Sequence, residues 1–472
     1  MLRDNILIEI EATLAYISNV ACNSAMTTPK SIRIRGIGRR QRSVLSISVL
    51  PLASAFLAAQ VIAPLAPAAA QQAPGVSQGT AAPLAPRAQV RIEPKLRPLM
   101  PMLTQAQFSQ ATQGMKAAAR GAGQAGALAA PSSKDGAPSR APADFGSSCS
   151  SAGLPPGCVT YSTARVANTT VNSSARTAAQ PVGGMPYVAT GKLLIATTTA
   201  GVFNASCSAS LIGKGVLVTA AHCVHQYGRG NPGFFKSLRF IPAQNSSTTN
   251  AGPYGFWDAE TWWIPTVYFN GTDTCSVRGI VCNNDVAVVL LKKNSAGRYP
   301  FAVPQINRYG YGWNGYGFRA EGSSGIRRGQ ITQLGYPGGL DNGRLMQRND
   351  SQAQYLGTGR GSSPLNLVFG SRMDGGSSGG PQLVNFGTRP AATGAPVGAS
   401  AAINIVQSTT SWGYTNSSIK IQGSSTFAQN PQFPHASYTA DGINYGAGNI
   451  GSLMKSVCGS GGSKGKALGA CF

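Results

Sequence analysis

LVTAAHC, residues 217–223, places His222 directly after a short apolar run. Apolar and β-branched residues in such a run favour a buried β-strand that carries the histidine at its end. Two later stretches also place one candidate polar residue beside an apolar run or in a turn. NDVAVVLL, residues 284–291, places Asp285 before a second apolar run, and GGSSGGP, residues 375–381, places Ser378 in a glycine-rich turn. Acyl transfer from a peptide needs a nucleophile, a base and an acid that orients the base, and these segments contain one of each.

The three stretches resemble the three signatures of the chymotrypsin-like serine peptidases, and they follow the same order, His, Asp, Ser. The resemblance covers roughly residues 181–406, and SLIGKGVLVTAAHCV, residues 210–224, is most similar to the bacterial branch that includes the glutamyl endopeptidases. It implies an all-β fold of two antiparallel six-stranded β-barrels with the site between them. A short C-terminal helix is expected at Ile450–Val457. The implied activity is that of a serine endopeptidase, which acts on proteins or peptides through an acyl-enzyme and needs no cofactor.

The resemblance also implies a role for individual residues. Ser378 would attack the substrate carbonyl, His222 would relay the proton, and Asp285 would hold the imidazole in the required tautomer. Backbone N–H groups of Gly376 and Ser378 would form the oxyanion hole. Ser400 resembles the serine beside the triad acid, on a strand that pairs with the substrate backbone.

Substrate specificity is much less clear from the sequence. The resemblance places the floor of the specificity pocket at Arg372, six residues before Ser378. An arginine at this position would favour acidic side chains, but exposure to solvent or an ion pair with Asp374 is the favoured interpretation. Ser377 occupies the position where animal-type members carry an acid that binds the freed N-terminus. Activation through that ion pair is therefore not expected.

Two other classes of function are compatible with parts of the pattern. GGSSGGP also fits the nucleophile elbow of lipases and esterases, but that fold requires the order Ser, acid, His. No Asp or Glu lies between Ser378 and His435, so this alternative fails. Asp258 and Asp273 compete with Asp285 as the triad acid, but only Asp285 precedes an apolar strand. A catalytically inactive binding or adhesion module with the same fold remains open.

The composition is typical of an exported, turn-rich β protein. Gly and Pro supply 59 and 30 of the 472 residues, and charged residues only 11%. A net charge of +24 raises the question of nucleic acid, but the basic residues are scattered rather than clustered. No nucleic-acid partner is expected. A basic surface that attracts acidic substrates or anionic envelope and cell-surface polymers is the better interpretation.

Three regions are expected along the chain. Residues 1–70 are interpreted as a spurious N-terminal extension plus a secretory signal, with a true start at Met26, because a basic segment, an apolar run and an Ala-rich end follow that methionine. Residues 71–180, rich in Ala, Pro and Gly, are interpreted as a propeptide or linker. Residues 181–472 form the peptidase domain with a Gly/Ser-rich tail. We expect a secreted or periplasmic protein without stable membrane insertion after signal removal; the sequence leaves the oligomeric state open.

The cysteines agree with export. One of the nine cysteines, Cys22, precedes the predicted signal, and eight remain, an even number that suits an oxidising compartment. Many connectivities are possible, and proximity in sequence suggests four pairs. These are Cys149–Cys158, Cys207–Cys223, Cys275–Cys282 and Cys458–Cys471. The second pair also resembles the family's bridge beside the histidine. No C-x-x-C occurs and histidines are only three, so no metal site is expected.

Overall fold

A computed structural model describes thirteen stretches of the chain, all within one compact unit, residues 67–472. The described residues are 75–82, 91–104, 106–107, 161–166, 186–197, 202–245, 252–321, 326–356, 365–388, 391–392, 395–396, 400–460 and 463–472. The predicted signal, Cys22 and Met26 lie outside them, as do Cys149 and Cys158.

The described structure consists mainly of β-strands. They are β1 (Val76–Thr80), β2 (Arg91–Pro98), β3 (Met102–Leu103), β4 (Tyr161–Arg165), β5 (Thr190–Ala196), β6 (Val202–Leu211), β7 (Val216–Thr219), β8 (Ser237–Pro242), β9 (Trp257–Pro265), β10 (Cys275–Val277), β11 (Val281–Cys282), β12 (Ala287–Leu291), β13 (Gly310–Tyr311), β14 (Arg319–Glu321), β15 (Ile326–Gly335), β16 (Gln347–Tyr355), β17 (Asn366–Gly370), β18 (Pro381–Val384), β19 (Ala391–Ala392), β20 (Ala395–Pro396), β21 (Ile405–Tyr414), β22 (Ile421–Thr426), β23 (Thr439–Ala440) and β24 (Ile443–Asn444). The helices are α1 (Thr266–Asn270), α2 (Gly448–Cys458) and α3 (Lys464–Ala467).

The first barrel contains six antiparallel strands in the order β9-β12-β7-β6-β5-β8, and pairing of β8 with β9 closes it. Its strands carry the apolar runs seen in the sequence. Val218 in β7 lies opposite Val288 in β12, and both side chains are fully buried. Burial of such continuous apolar strands supplies most of the driving force for this barrel.

The second barrel is also closed and antiparallel, with the order β15-β18-β21-β22-β17-β16 and pairing of β16 with β15. Its interior is more polar than that of the first barrel. Gln333, Thr410 and Gln422 are buried and bonded to one another: Gln333 Nε2 donates to Thr410 Oγ1 at 3.0 Å and to Gln422 Oε1 at 2.7 Å. The polar groups are satisfied, so their burial does not carry the penalty of unpaired donors.

The expected all-β fold, with two six-stranded antiparallel barrels and a short C-terminal helix, is confirmed. The helix α2 is slightly longer than the predicted Ile450–Val457. Its apolar residues Ile450, Leu453 and Val457 pack into the core of the first barrel.

Four strands lie in the region that was interpreted as propeptide or linker. β1 pairs antiparallel with β9, and β2 pairs parallel with β6, so both extend the first barrel. β3 pairs parallel with β21, and β4 pairs antiparallel with β16, so both extend the second barrel. The region therefore adds backbone hydrogen bonds to both barrels even though it lacks apolar alternation.

Three of the predicted disulfides are present: Cys207–Cys223, Cys275–Cys282 and Cys458–Cys471. Three such bridges indicate an oxidising, extracellular environment. Within the part of the chain that the structure describes, no helix has the length and apolar character needed to cross a membrane.

Candidate active site

His222 lies just after β7, in a single 3₁₀ turn formed by Ala221–Cys223. The disulfide from Cys223 to Cys207 ties this turn to the neighbouring strand β6. The His222 side chain is 8% exposed, and its Nδ1 lies 2.7 Å from Asp285 Oδ2. The backbone N–H of His222 also donates to Asp285 Oδ1 at 2.8 Å. The ring is thus fixed in place by one carboxylate.

Asp285 is buried immediately before β12 and has a third partner that the sequence did not reveal. Ser411 Oγ, from β21 of the second barrel, donates to Asp285 Oδ2 at 2.6 Å. A carboxylate that accepts three hydrogen bonds is well satisfied in its charged form, although it is removed from water. Asp285 is therefore arranged to accept a hydrogen bond from the imidazole Nδ1–H.

The position of Asp285 is supported by a second buried acid, Asp273. Asn284, its chain neighbour, donates to Asp273 from both its backbone N–H, at 2.8 Å, and its side-chain Nδ2, at 2.7 Å. Burial raises the pKa of Asp273 to about 7, against the lowering effect of the Asn284 hydrogen bonds. Asp273 thus anchors the loop from within and does not replace Asp285 beside the imidazole.

Ser378 lies in the turn between β17 and β18, in the second barrel. The turn needs glycine: Gly376 and Gly379 have φ of +96° and +76°. A Cβ at Gly379 would lie 2.0 Å from Thr219 Oγ1 and 3.0 Å from the Ala220 nitrogen, so the turn presses against the segment that leads to His222. Among the described residues, the buried Ser378 hydroxyl has no hydrogen-bond partner.

Ser208 of β6 joins the Ser378 turn to the first barrel. Its N–H donates to the Ser378 carbonyl at 2.7 Å, and its hydroxyl donates to the Gly376 carbonyl at 2.8 Å. The hydroxyl also accepts from the Tyr336 N–H at 3.0 Å. The histidine and the acid are carried by one closed six-stranded barrel and the serine by the other, and the Ser378 turn packs on the segment that leads to His222.

The chain has the fold of the chymotrypsin-like serine peptidases. Solved structures of serine proteases are similar to it. Protease AL20 from an extremophilic microorganism is 22% identical, with a TM-score of 0.37 over 51% of this chain and 92% of that one. Protease Anisep from Arthrobacter nicotinovorans is 19% identical, with a TM-score of 0.36 over 51% and 91%. A Glu endopeptidase in complex with MPD is 18% identical, with a TM-score of 0.34 over 56% and 91%. No protein-family model and no curated protein matches the sequence.

The interpretation of Ser400 was wrong in this chymotrypsin-like fold. Ser400 Oγ accepts the Gly317 N–H at 3.0 Å, and its carbonyl accepts Asn385 Nδ2 at 2.6 Å. It thus stabilises a loop before β21, whereas Ser411, within β21, lies beside Asp285. The strand that was expected to carry Ser400 is β21, which begins at Ile405, after that residue.

Arg372 lies at the surface, in agreement with the interpretation that its side chain points to solvent. Its side chain is exposed, and its backbone N–H donates to Thr163 Oγ1 of β4 at 3.1 Å. Neutral buried groups lie beside the serine turn instead. Gln422 Nε2 donates to Ser377 Oγ at 3.1 Å, and Ser377 Oγ donates to the Asp374 carbonyl at 2.6 Å.

One of the predicted oxyanion donors is occupied by the chain itself. The Gly376 N–H donates to the Leu99 carbonyl at 3.1 Å. A Cβ at Gly376 would lie 2.6 Å from the Tyr336 carbonyl oxygen, so this position accepts only glycine without movement of the backbone.

Two described clusters contain side chains of metal-binding type: Cys207 with His222 and Cys223, and Asp273 with Cys275 and Cys282. In both clusters the cysteines are joined in disulfides and offer no thiolate. Neither cluster has the donor set of a zinc site.

Proposed function

We propose that the chain is an exported serine endopeptidase in which Ser378 is the nucleophile, His222 the general base and Asp285 the acid that orients it. The observation that carries this proposal is the placement of the Asp285 carboxylate. It accepts His222 Nδ1 at 2.7 Å and two further hydrogen bonds, next to a turn that holds an unpaired, buried serine hydroxyl.

The geometry supports the following sequence of steps. With its Nδ1 proton bound to Asp285, His222 has Nε2 free of a proton and able to take that of Ser378. Ser378 Oγ then bonds to the substrate carbonyl carbon, and the carbonyl oxygen becomes an oxyanion. The N–H groups of Gly376 and Ser378 stabilise this charge. His222 returns the proton to the departing nitrogen, and water repeats the cycle on the acyl-enzyme to release the acid.

The substrate class is protein or peptide, and the site of action lies outside the cytoplasm. The three disulfides support an oxidising compartment. The basic and apolar segments ahead of residue 70 support export by a cleaved signal. A preference for acidic substrates is not proposed, because Arg372 is exposed and the buried groups beside the turn, Gln422 and Ser377, are neutral.

A fluorophosphonate probe tests the proposal, since it reacts only with an activated serine. After propeptide processing, we expect stoichiometric labelling of one peptide, with the adduct on Ser378. Ser378→Ala abolishes it. Ser400→Ala is the matched control: it removes a hydroxyl that the structure places away from Asp285, so labelling persists. A folded, processed protein that takes up no probe would instead support the inactive binding module.

A further inference from the structure

The stretch Pro98–Leu103, here named the cleft segment, crosses the site between the two barrels. On its amino-terminal side it continues from β2, which runs parallel to β6 of the first barrel. The Leu99 N–H donates to the Ser206 carbonyl of β6 at 3.0 Å. β6 also carries Cys207, which is bridged to the histidine turn. The cleft segment therefore enters the site along the barrel that holds His222.

Near its start, the cleft segment occupies the backbone donor that the proposed mechanism assigns to the reacting carbonyl. The Leu99 carbonyl accepts the Gly376 N–H at 3.1 Å. The preceding Pro98 ring packs on the same turn: a Cβ at Gly338 would lie 2.9 Å from Pro98 Cγ, and one at Gly375 would lie 3.3 Å from Pro98 Cβ. A substrate carbonyl cannot bind the Gly376 N–H while Leu99 is in place.

On its carboxyl-terminal side, the cleft segment pairs with β21 of the second barrel. The Gly413 N–H donates to the Pro101 carbonyl at 3.1 Å, and the Thr415 N–H donates to the Leu103 carbonyl at 2.9 Å. This pairing is parallel. β21 also contains Ser411, the partner of Asp285, so the cleft segment covers the backbone edge beside the acid.

Two side chains fix the cleft segment in place. Leu103 is 0% exposed and lies in an apolar cluster with Trp412 and Tyr414 of β21. Met100 Sδ approaches Gly413, 2.8 Å from where a Cβ would stand, and accepts Gln422 Nε2 at 3.5 Å. The cleft segment is thus held by packing as well as by backbone hydrogen bonds.

The direction of the cleft segment opposes that of a chain positioned for cleavage. After attack at Leu99, the nitrogen of Met100 would have to leave with a proton from His222. The Leu99 N–H, however, faces β6 in the barrel that carries His222, whereas Met100 leads into β21. The nitrogen bonded to the barrel that carries His222 is thus that of Leu99, which does not leave.

We propose that the cleft segment is an intramolecular inhibitor that occupies the substrate cleft in the reverse direction and so resists cleavage. This inference rests on the proposed function. Substrate gains access only when the cleft segment is displaced, by cleavage of the chain on either side or by weakening of its contacts.

The test compares fluorophosphonate labelling rates of intact full chains, with mass spectrometry to verify that the cleft segment is still attached. Leu103→Asp places a charge in the apolar cluster, and we expect labelling about tenfold faster or more, the ratio that a loss of ordinary contact energy produces. Leu468→Asp is the matched control, since Leu468 is 39% exposed and outside the cleft. Met100→Lys, which alters a half-buried side chain, is a second variant in case Leu103→Asp does not fold.

The outcomes separate the two hypotheses. Slow labelling of the wild type and the control, with fast labelling of Leu103→Asp or Met100→Lys, supports inhibition. If all these chains label equally fast and Ser378→Ala does not label, the peptidase proposal stands and the inhibitor is refuted. If none labels even after processing, the proposed function fails and the inference with it. Ser378-dependent cleavage between Leu99 and Met100 in the intact chain would refute the reverse orientation.

Discussion

The Ser411 hydroxyl is the only contact from the second barrel to the Asp285 carboxylate among the described hydrogen bonds. It therefore ties the carboxylate carried by the first barrel to strand β21 of the second. Sequence motifs marked His222, Asp285 and Ser378 as candidates because each stands beside an apolar strand or in a glycine-rich turn. Ser411 has no such signal: it sits in a run of serines and threonines where each hydroxyl looks equivalent.

Ser411→Ala tests this contact in the processed protein, on the proposed peptidase activity. A hydrogen bond to a charged group contributes roughly 1.5–3 kcal/mol, and 1.4 kcal/mol corresponds to a factor of about ten. We expect kcat for a peptide substrate to fall by about ten- to hundredfold, with little change in KM, because the backbone of β21 is unaltered. Ser400→Ala should leave both constants unchanged. A rise in KM without a fall in kcat would contradict a role in aligning Asp285.

At the scale of elements, the strands of the first barrel could be predicted, and several of the second barrel could not. β7 and β12 are continuous apolar runs. β21 is buried along most of its length but contains Gln407 and a serine–threonine run. Several of its polar groups bond to strands far away in sequence, as when Gln333 Nε2 of β15 donates to Thr410 Oγ1 at 3.0 Å. Periodicity cannot reveal partners that tertiary structure supplies, and β2 and β3, which pair mainly through backbone, were missed for the same reason.

The C-terminal tail is an element whose contribution can be measured. The Cys458–Cys471 bridge joins α2 to the last residues, and the carbonyls of Cys471 and Ala470 accept the N–H groups of Lys214 and Gly215 at 2.8 and 2.7 Å. Replacing both cysteines by alanine removes this cross-link, and the unfolded chain gains conformational entropy. We expect the free energy of unfolding to drop by about 3 kcal/mol, as for a loop of this length.

Labelling of Ser378 in the same double variant should be unchanged under native conditions, because the tail packs on the far turn of β6 and β7 rather than on the histidine turn. Chemical denaturation followed by tryptophan fluorescence measures the stability difference. An unchanged midpoint would show that the bridge contributes nothing to the stability of the fold.

At the scale of the whole molecule, Asp273 and Asn284 connect three distant parts of the chain. Besides its bonds to Asp273, Asn284 accepts Asn430 Nδ2 at 2.9 Å and Asn449 Nδ2, from α2, at 3.2 Å. Gln432 Oε1 accepts Asn284 Nδ2 at 2.9 Å. The loop before Asp285, the segment after β22 and the C-terminal helix therefore share one buried network.

The protonation of Asp273 makes global stability depend on pH. Burial raises its folded pKa from 3.8 to about 7. Between these values the folded chain retains a proton that the unfolded chain has released, so this group's contribution to stability is present below about pH 4 and is lost as pH rises through about 7. As pH rises across this window, we expect the thermal midpoint of the wild type to fall relative to that of Asp273→Asn.

The measurement is a set of thermal midpoints between pH 4 and 8 for both chains. Asp441→Asn is the control, since Asp441 is exposed and its pKa is lowered, chiefly by its hydrogen bond to Lys466. A constant difference between the wild type and Asp273→Asn at every pH would mean that Asp273 does not hold a proton in the folded state.

The position of the cleft segment near the amino end of the chain has a consequence for the order of synthesis. The ribosome makes the cleft segment before Gly376 and β21, to which it binds. The cleft segment is thus already present when the last part of the proposed active site emerges. If the cleft segment inhibits as proposed, we expect a newly made molecule to be blocked as soon as its second barrel folds, so that the proteins of the producing cell are protected.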